Sequence, residues 1–240
     1  MSGYPDTAQR RSAASIALAE RLAHPYSIAY AVFHDAMLGL WSGRIDAAGE
    51  QARRVVQIAT ELDYAVWHAS GLIVEGVTVA AQGRPDEGLE LTDRGIGLYE
   101  NLRTPPIFWP QVLGLRAQAL AHANRHAEAL DAIAEALSVA RPDATSDIIW
   151  LLLVQADLQV ASGDRESAEA SLEDGLAKAR SIGARTLELV AALRLARFDE
   201  ESQERRAAVQ AVYDTFTEGF ETSALREARA WVTGAASSVP

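Results

Sequence analysis

The sequence predicts an all-α fold, an α-solenoid of antiparallel helical hairpins with a period of about 40 residues. The first observation behind it is a short turn that returns along the chain. It reads Gly43-Arg44-Ile45-Asp46-Ala47-Ala48, then Gly83-Arg84-Pro85-Asp86-Glu87-Gly88, Asn124-Arg125-His126-Ala127-Glu128-Ala129 and Gly163-Asp164-Arg165-Glu166-Ser167-Ala168. An early copy, Gly3-Tyr4-Pro5-Asp6-Thr7-Ala8, and a worn one, Gln203 to Ala208, flank these. First positions 3, 43, 83, 124, 163 and 203 differ by 40, 40, 41, 39 and 40. The second observation is a pair of small residues around each turn. Ala36, Gly76, Ala117, Ala156 and Ala196 lie seven before it; Ala8, Ala48, Gly88, Ala129, Ala168 and Ala208 lie five after. Such residues meet only if the two helices fold back antiparallel, and their size lets the backbones approach. The third is composition: abundant Ala, 8 Pro and 16 Gly in 240 residues favour helix.

Each turn has local reasons. Gly or Asn tolerates the left-handed conformation that ends a helix. Pro85 suits the first turn of the next helix, and the acidic residues that follow favour a helix N-terminus. Residues 5–23 form one helix, stopped by His24-Pro25. It is half a hairpin (5–24), which leads to the expectation that the chain is cut from a longer protein. Complete hairpins follow at 26–62, with helices 26–42 and 45–62, and at 64–102, with helices 64–82 and 85–102. Thr104-Pro105-Pro106 precedes the third (107–141: 107–123 and 126–141), and Pro142-Asp143 the fourth (145–182: 145–162 and 165–182). Ile182-Gly183-Ala184 reads as a helix C-cap. The fifth hairpin (185–217: 185–199 and 204–217) turns without Gly. A closing helix at 223–233 starts at Ser223, a good N-cap, and 234–240 reads as a tail. The whole of 1–233 reads as one repeat domain.

Composition excludes several classes. The chain has no Cys, so no disulfide framework and no Cys-based metal site or nucleophile. A net charge of −11 argues against a nucleic-acid footprint. Residues 1–15 are too polar for a signal peptide, and the longest apolar run, Ile148 to Val154, is too short to span a bilayer. A cytoplasmic location fits.

Small residues at minus seven and plus five around a Gly resemble the conserved small positions of the tetratricopeptide repeat (TPR). Gly95, Ala136 and Gly175 match its third small position, whereas Val55 does not. That repeat has 34 residues; the longer period here resembles the TPR-like array of the large maltose-activator type of bacterial regulator. Other stretches are more specific: Leu22-Ala23-His24-Pro25-Tyr26-Ser27-Ile28-Ala29-Tyr30-Ala31, Ser181-Ile182-Gly183-Ala184-Arg185-Thr186-Leu187-Glu188-Leu189, and Val212-Tyr213-Asp214-Thr215-Phe216-Thr217-Glu218-Gly219-Phe220-Glu221-Thr222. These resemble the C-terminal helical region of bacterial multidomain proteins that join a signalling NTPase module to a class III adenylate-cyclase-like or DNA-binding module. The resemblance implies a right-handed solenoid and a non-catalytic interaction or sensor segment of a larger signalling protein. No catalytic residue carries over, and no cofactor is implied.

The sequence offers no phosphate loop, no Gly-x-Ser-x-Gly and no His-Glu-x-x-His. Gly95-x-Gly97 reads as hairpin packing, and His122 with His126 straddles a turn, so no metal site is expected. The TPR resemblance places a partner-binding groove on the first helix of each hairpin, at Tyr30, Phe33, Met37; Ser70, Ile73, Val77; Gln111, Gly114, Gln118; and Trp150, Leu153, Asp157. Aromatics, Met and two Gln there suit a peptide or amphipathic helix. The competing reading is that longer helices close the groove and these residues pack as core. Gly114 either leaves room for a ligand or lets a helix approach. Stacked first helices would also bring Glu75 beside Arg116 as an ion pair. The expected partner is a protein, a peptide or other domains of the parent chain. A small-molecule sensor with a pocket in the solenoid, a free-standing scaffold and self-association stay open.

Overall fold

A computed structural model describes residues 2–102 and 108–233. Among them the chain is all-helical, without strands. In order the helices are α1 Pro5–Arg21, α2 Pro25–Trp41, α3 Ile45–Glu61, α4 Ala65–Ala81, α5 Pro85–Glu100, α6 Trp109–His122, α7 His126–Val139, α8 Thr145–Ala161, α9 Arg165–Ile182, α10 Arg185–Ala196, α11 Gln203–Tyr213 and α12 Ser223–Thr233. Thr104-Pro105-Pro106, the expected start at Ile107 and the tail 234–240 lie outside the described residues. α11 stops four residues short of the expected end at Thr217. At the last helix, Thr222 rather than Ser223 holds the cap position: its carbonyl accepts the first helical bond, from the Arg226 N–H at 2.9 Å.

One turn geometry joins most of these helices. Ala23, Gly43, Asp63, Gly83, Asn124, Gly163 and Gly183 all have positive φ, between 47° and 87°. The next residue in each case donates its N–H to a carbonyl five positions back, as in Arg44 to Gly39 at 2.8 Å and Tyr64 to Ala59 at 2.9 Å. This is the Schellman arrangement, which satisfies carbonyls the helix end would leave unpaired. The following helix starts one residue later. Ala23, Gly43, Asp63 and Gly83 stand 20 residues apart, so the turns between hairpins repeat the turns within them. The expected C-cap at Gly183 is part of the set. Pro85 occupies the start of α5, and Asp46, Asp86, Glu87, Glu128 and Glu166 lie in first turns, where the helix dipole favours them.

The residues form two compact units, one of Thr7–Val139 and one that joins the first six residues to the segment from Ala140 on. In the first, each helix from α2 to α7 packs on the next, and α4 also touches α2 and α6. α4 is therefore covered on nearly every side, and Trp67, Leu72, Ile73, Val74, Val77 and Val79 are all buried. Its tightest partner is α5. A Cβ on Gly88 would stand 2.5 Å from the Gly76 carbonyl oxygen, and one on Gly95 2.7 Å from the Ala69 carbonyl oxygen. The small residues around this turn are thus a steric requirement. Ile16, Val32, Val55, Ala59 and Trp67 form the core at the other end of the unit.

In the second unit α8 to α12 pack in sequence, with α8 on α10 and α10 on α12 as well. One core gathers Ile149, Leu153, Leu172, Leu187 and Leu195. A second gathers Leu189, Val209, Phe216, Leu225 and Trp231. Leu225 and Ala228 of α12 are both in the second core, and Val232 packs against it partly buried.

Candidate interaction site

α2 presents an aromatic stripe because Tyr26, Tyr30 and His34 recur every fourth residue, which on a helix is one face. Pro25 starts the helix, and His24 caps it by accepting the Ser27 N–H. Across from the stripe, the turn after Asp63 brings in Tyr64 and Trp67 at the start of α4. Trp67 is 4% exposed and sits among the rings. Tyr26, Tyr30 and Phe33 have centroids 5.7, 5.5 and 5.4 Å from it, and Tyr26 meets Tyr64 at 5.3 Å. His34 stacks on Tyr30 at 4.1 Å, and its Nδ1–H donates to the Tyr30 carbonyl at 2.8 Å. Edge-to-face pairs at these spacings each contribute about 0.5–1.5 kcal/mol beyond burial, so the cluster is a firm platform. Its upper side is open: Tyr26 is 44% and Tyr30 51% exposed. The Trp67 Nε1 is buried without a hydrogen-bond acceptor.

The predicted groove positions separate by burial. Met37, Ser70, Ile73, Val77, Gly114, Trp150 and Leu153 are buried. Phe33, Gln111 and Gln118 are half-buried, while Tyr30 and Asp157 reach solvent. For α4 the cause is plain, because four helices surround it. Ile73 points toward α5: its Cγ1 would stand 2.7 Å from a Cβ on Gly95. In this conformation the buried positions offer no surface to a partner. The structure joins Tyr30 and Phe33 to one ring cluster through Trp67. Trp150, Leu153 and Asp157 belong to the other unit.

The anticipated Glu75–Arg116 pair does not form. Arg116 Nε instead bonds Asp93 Oδ1 at 3.0 Å, because α5 as well as α4 lines α6. Spacing along the first helices ignores that intervening second helix. Glu75 has Arg53 and Arg94 as its leading opposite charges, yet burial outweighs them and raises its carboxyl above the usual range. Asp157 bonds Arg194 at 2.7 Å, and Arg197 bonds Glu227 at 2.7 Å. Protein packed around Asp157 pushes its carboxyl up, against the pull of Arg194 and Arg197; half of its side chain still reaches water, which screens the pair. Burial lowers the pKa of Arg194, whose Nη1 has no acceptor, and a bound water is the usual partner for such an atom.

Of the residues in this ring cluster, the predicted groove included Tyr30 and Phe33 but not Tyr26, His34, Tyr64 or Trp67. The four-residue stripe was available as a signal; the pairing with Trp67 depends on the turn at Asp63, where no Gly marks it. Among the described residues no three His, Asp or Glu side chains gather as a metal site, and no helix is long and apolar enough to cross a membrane. The sequence matches no family model, and no curated protein matches it.

Proposed function

We propose that this chain is a non-catalytic protein-interaction and regulatory module, a right-handed TPR-like solenoid of the kind that ends bacterial signalling NTPases and adenylate-cyclase-like proteins, working in the cytoplasm. The uniform left-handed turns and the contacts between alternate helices support the solenoid reading. The observation that carries the functional reading is the aromatic platform of Tyr26, Tyr30 and His34 over Trp67. Half-exposed tyrosines on a buried tryptophan supply rigid, amphipathic contact area, the chemistry of interface anchors. The partner is a protein or peptide, including another domain of a parent chain. Affinity capture from source cells tests it, with wild type beside the Tyr26→Ala/Tyr30→Ala double variant. The expected result is a partner kept by wild type and lost by a variant that still melts cooperatively. Equal capture by both would refute the platform's role.

One observation favours a small-molecule sensor instead. A hollow of about 340 Å³ opens beside Ala59, Thr60, Asp63, Ala65, His68 and Leu98, within the size range of ligand sites. A metabolite screen by thermal shift decides this: a ligand at a hundredfold its dissociation constant adds about 2.7 kcal/mol, and Asp63→Ala should abolish that gain.

A further inference from the structure

The loop Thr217–Thr222 meets the first residues of the chain inside the second unit. Gly3 is buried at φ 91°, and a Cβ there would stand 3.2 Å from Arg185 Cβ and 3.5 Å from Phe216 Cε1. Pro5 lies so close to Gly219 that a Cβ on Gly219 would overlap the proline ring. The Asp6 carboxylate accepts the Gly219 N–H at 2.9 Å. Tyr4, between them, is 51% exposed. Three features of the segment are therefore read: a residue without a Cβ, a proline ring and a carboxylate.

The receiving side is built by its own bonds. Thr222 donates both its N–H and its hydroxyl to the Gly219 carbonyl, at 2.9 and 2.8 Å. Arg185 reaches the Thr215 carbonyl at 3.4 Å, and Phe216 is fixed in the α10–α12 core. None of these bonds involves residues 3–6. The run Gly83-Arg84-Pro85-Asp86 repeats the motif, but a Cβ at Gly83 would meet nothing within 4 Å. Gly3 shares the left-handed backbone of Gly83, and the close approach of Arg185 and Phe216 is the demand that the notch adds.

We propose that the Arg185–Phe216–Gly219 notch is a recognition site for a Gly-x-Pro-Asp segment, filled in cis by residues 3–6 and able to take the same motif from another chain when they leave. The cis segment competes at high effective concentration, so the intact protein binds a free peptide weakly.

The test uses the full chain and an acetylated peptide of residues 3–10. The Gly3→Val/Asp6→Ala variant should bind it at least about tenfold more tightly than wild type. A peptide carrying the same two changes should not compete, and adding Gly219→Ala to the variant should abolish binding. Independently, Asp6→Ala alone should speed exchange of the Gly219 amide hydrogen about tenfold, the worth of a hydrogen bond to a charged group. Equal peptide affinity in wild type and variant, or binding that survives Gly219→Ala, would overturn the recognition site. An unchanged Gly219 exchange rate would overturn the cis occupancy on which it rests.

Discussion

Two glycines on one helix should respond to the same substitution with opposite signs. Gly88 and Gly97 both lie in α5. Replacing either by Ala removes backbone entropy from the unfolded chain and should favour the helix by about 1 kcal/mol. At Gly97 nothing lies within 4 Å of the new methyl, so that gain stands alone. At Gly88 the methyl would stand 2.5 Å from the Gly76 oxygen and 2.6 Å from the Ala80 N and Cβ. Two of these atoms are backbone and cannot rotate away. Restoring ordinary contact means parting α4 from α5 by roughly 1 Å, which forfeits a quarter to a half of the dispersion energy of the contacts involved. Overpacking alone costs ~1–3 kcal/mol, and the opened interface adds to it. After subtracting the helix-propensity gain, Gly88→Ala should destabilise by about 2–3 kcal/mol. For a chain of this size that lowers Tm by ~5–10 °C, whereas Gly97→Ala raises it by ~2–4 °C. Circular-dichroism melts and urea midpoints on the two variants measure both. If Gly88→Ala stabilises as Gly97→Ala does, the close helix approach is not present in solution.

Three further outcomes follow from particular residues. Ala23 holds φ 47° without being glycine; the left-handed region costs an L-residue roughly 1–2 kcal/mol, part of which Gly would return through unfolded-state entropy, so Ala23→Gly should raise stability by about 0.5 kcal/mol in urea titration. Burial raises the Glu75 carboxyl above its ordinary 4.5. The stability linked to that proton is full below the unfolded pKa and lost as pH rises through the folded one, so Glu75→Gln should raise Tm at pH 7 and lose that advantage below pH 4.5; an advantage constant with pH would refute it. The Arg116–Asp93 pair is largely open to solvent, so Asp93→Asn should cost less than about 1 kcal/mol, and a larger loss would mean that the pair is shielded.

What the sequence made legible was whatever a single residue type announces. Gly43, Gly83, Asn124 and Gly163 declare left-handed helix ends, and the Gly76–Gly88 approach could be read from the absence of side chains on both sides of one turn. The turns at Ala23 and Asp63, expected from the helix boundaries at 23/24 and 62/64, carry no such announcement in their residue type. Each uses the same left-handed backbone as its glycine counterpart at a position whose residue type does not require it, so helix spacing and not residue type marked them. The Glu75–Arg116 expectation failed because a one-dimensional period stacks first helices on each other and leaves out the second helix, where Asp93 waits for Arg116.

The same omission accounts for the groove positions. A pattern taken from alternate helices assumes that their inner face stays open, and α4 shows what closes it. With α2, α3, α5 and α6 all in contact with it, and with Gly76, Gly88 and Gly95 drawing α5 inward, Ser70, Ile73 and Val77 become core. Burying α4 leaves α2 with a face that its neighbours do not cover, and that face carries the tyrosines. Exposed aromatic surface in this unit thus lies on α2 and not on α4, and Trp67 supports Tyr26 and Tyr30 from below. A polar side chain at position 67 would remove the support while leaving both tyrosines in the sequence, which is why ring exposure and ring packing have to be read together.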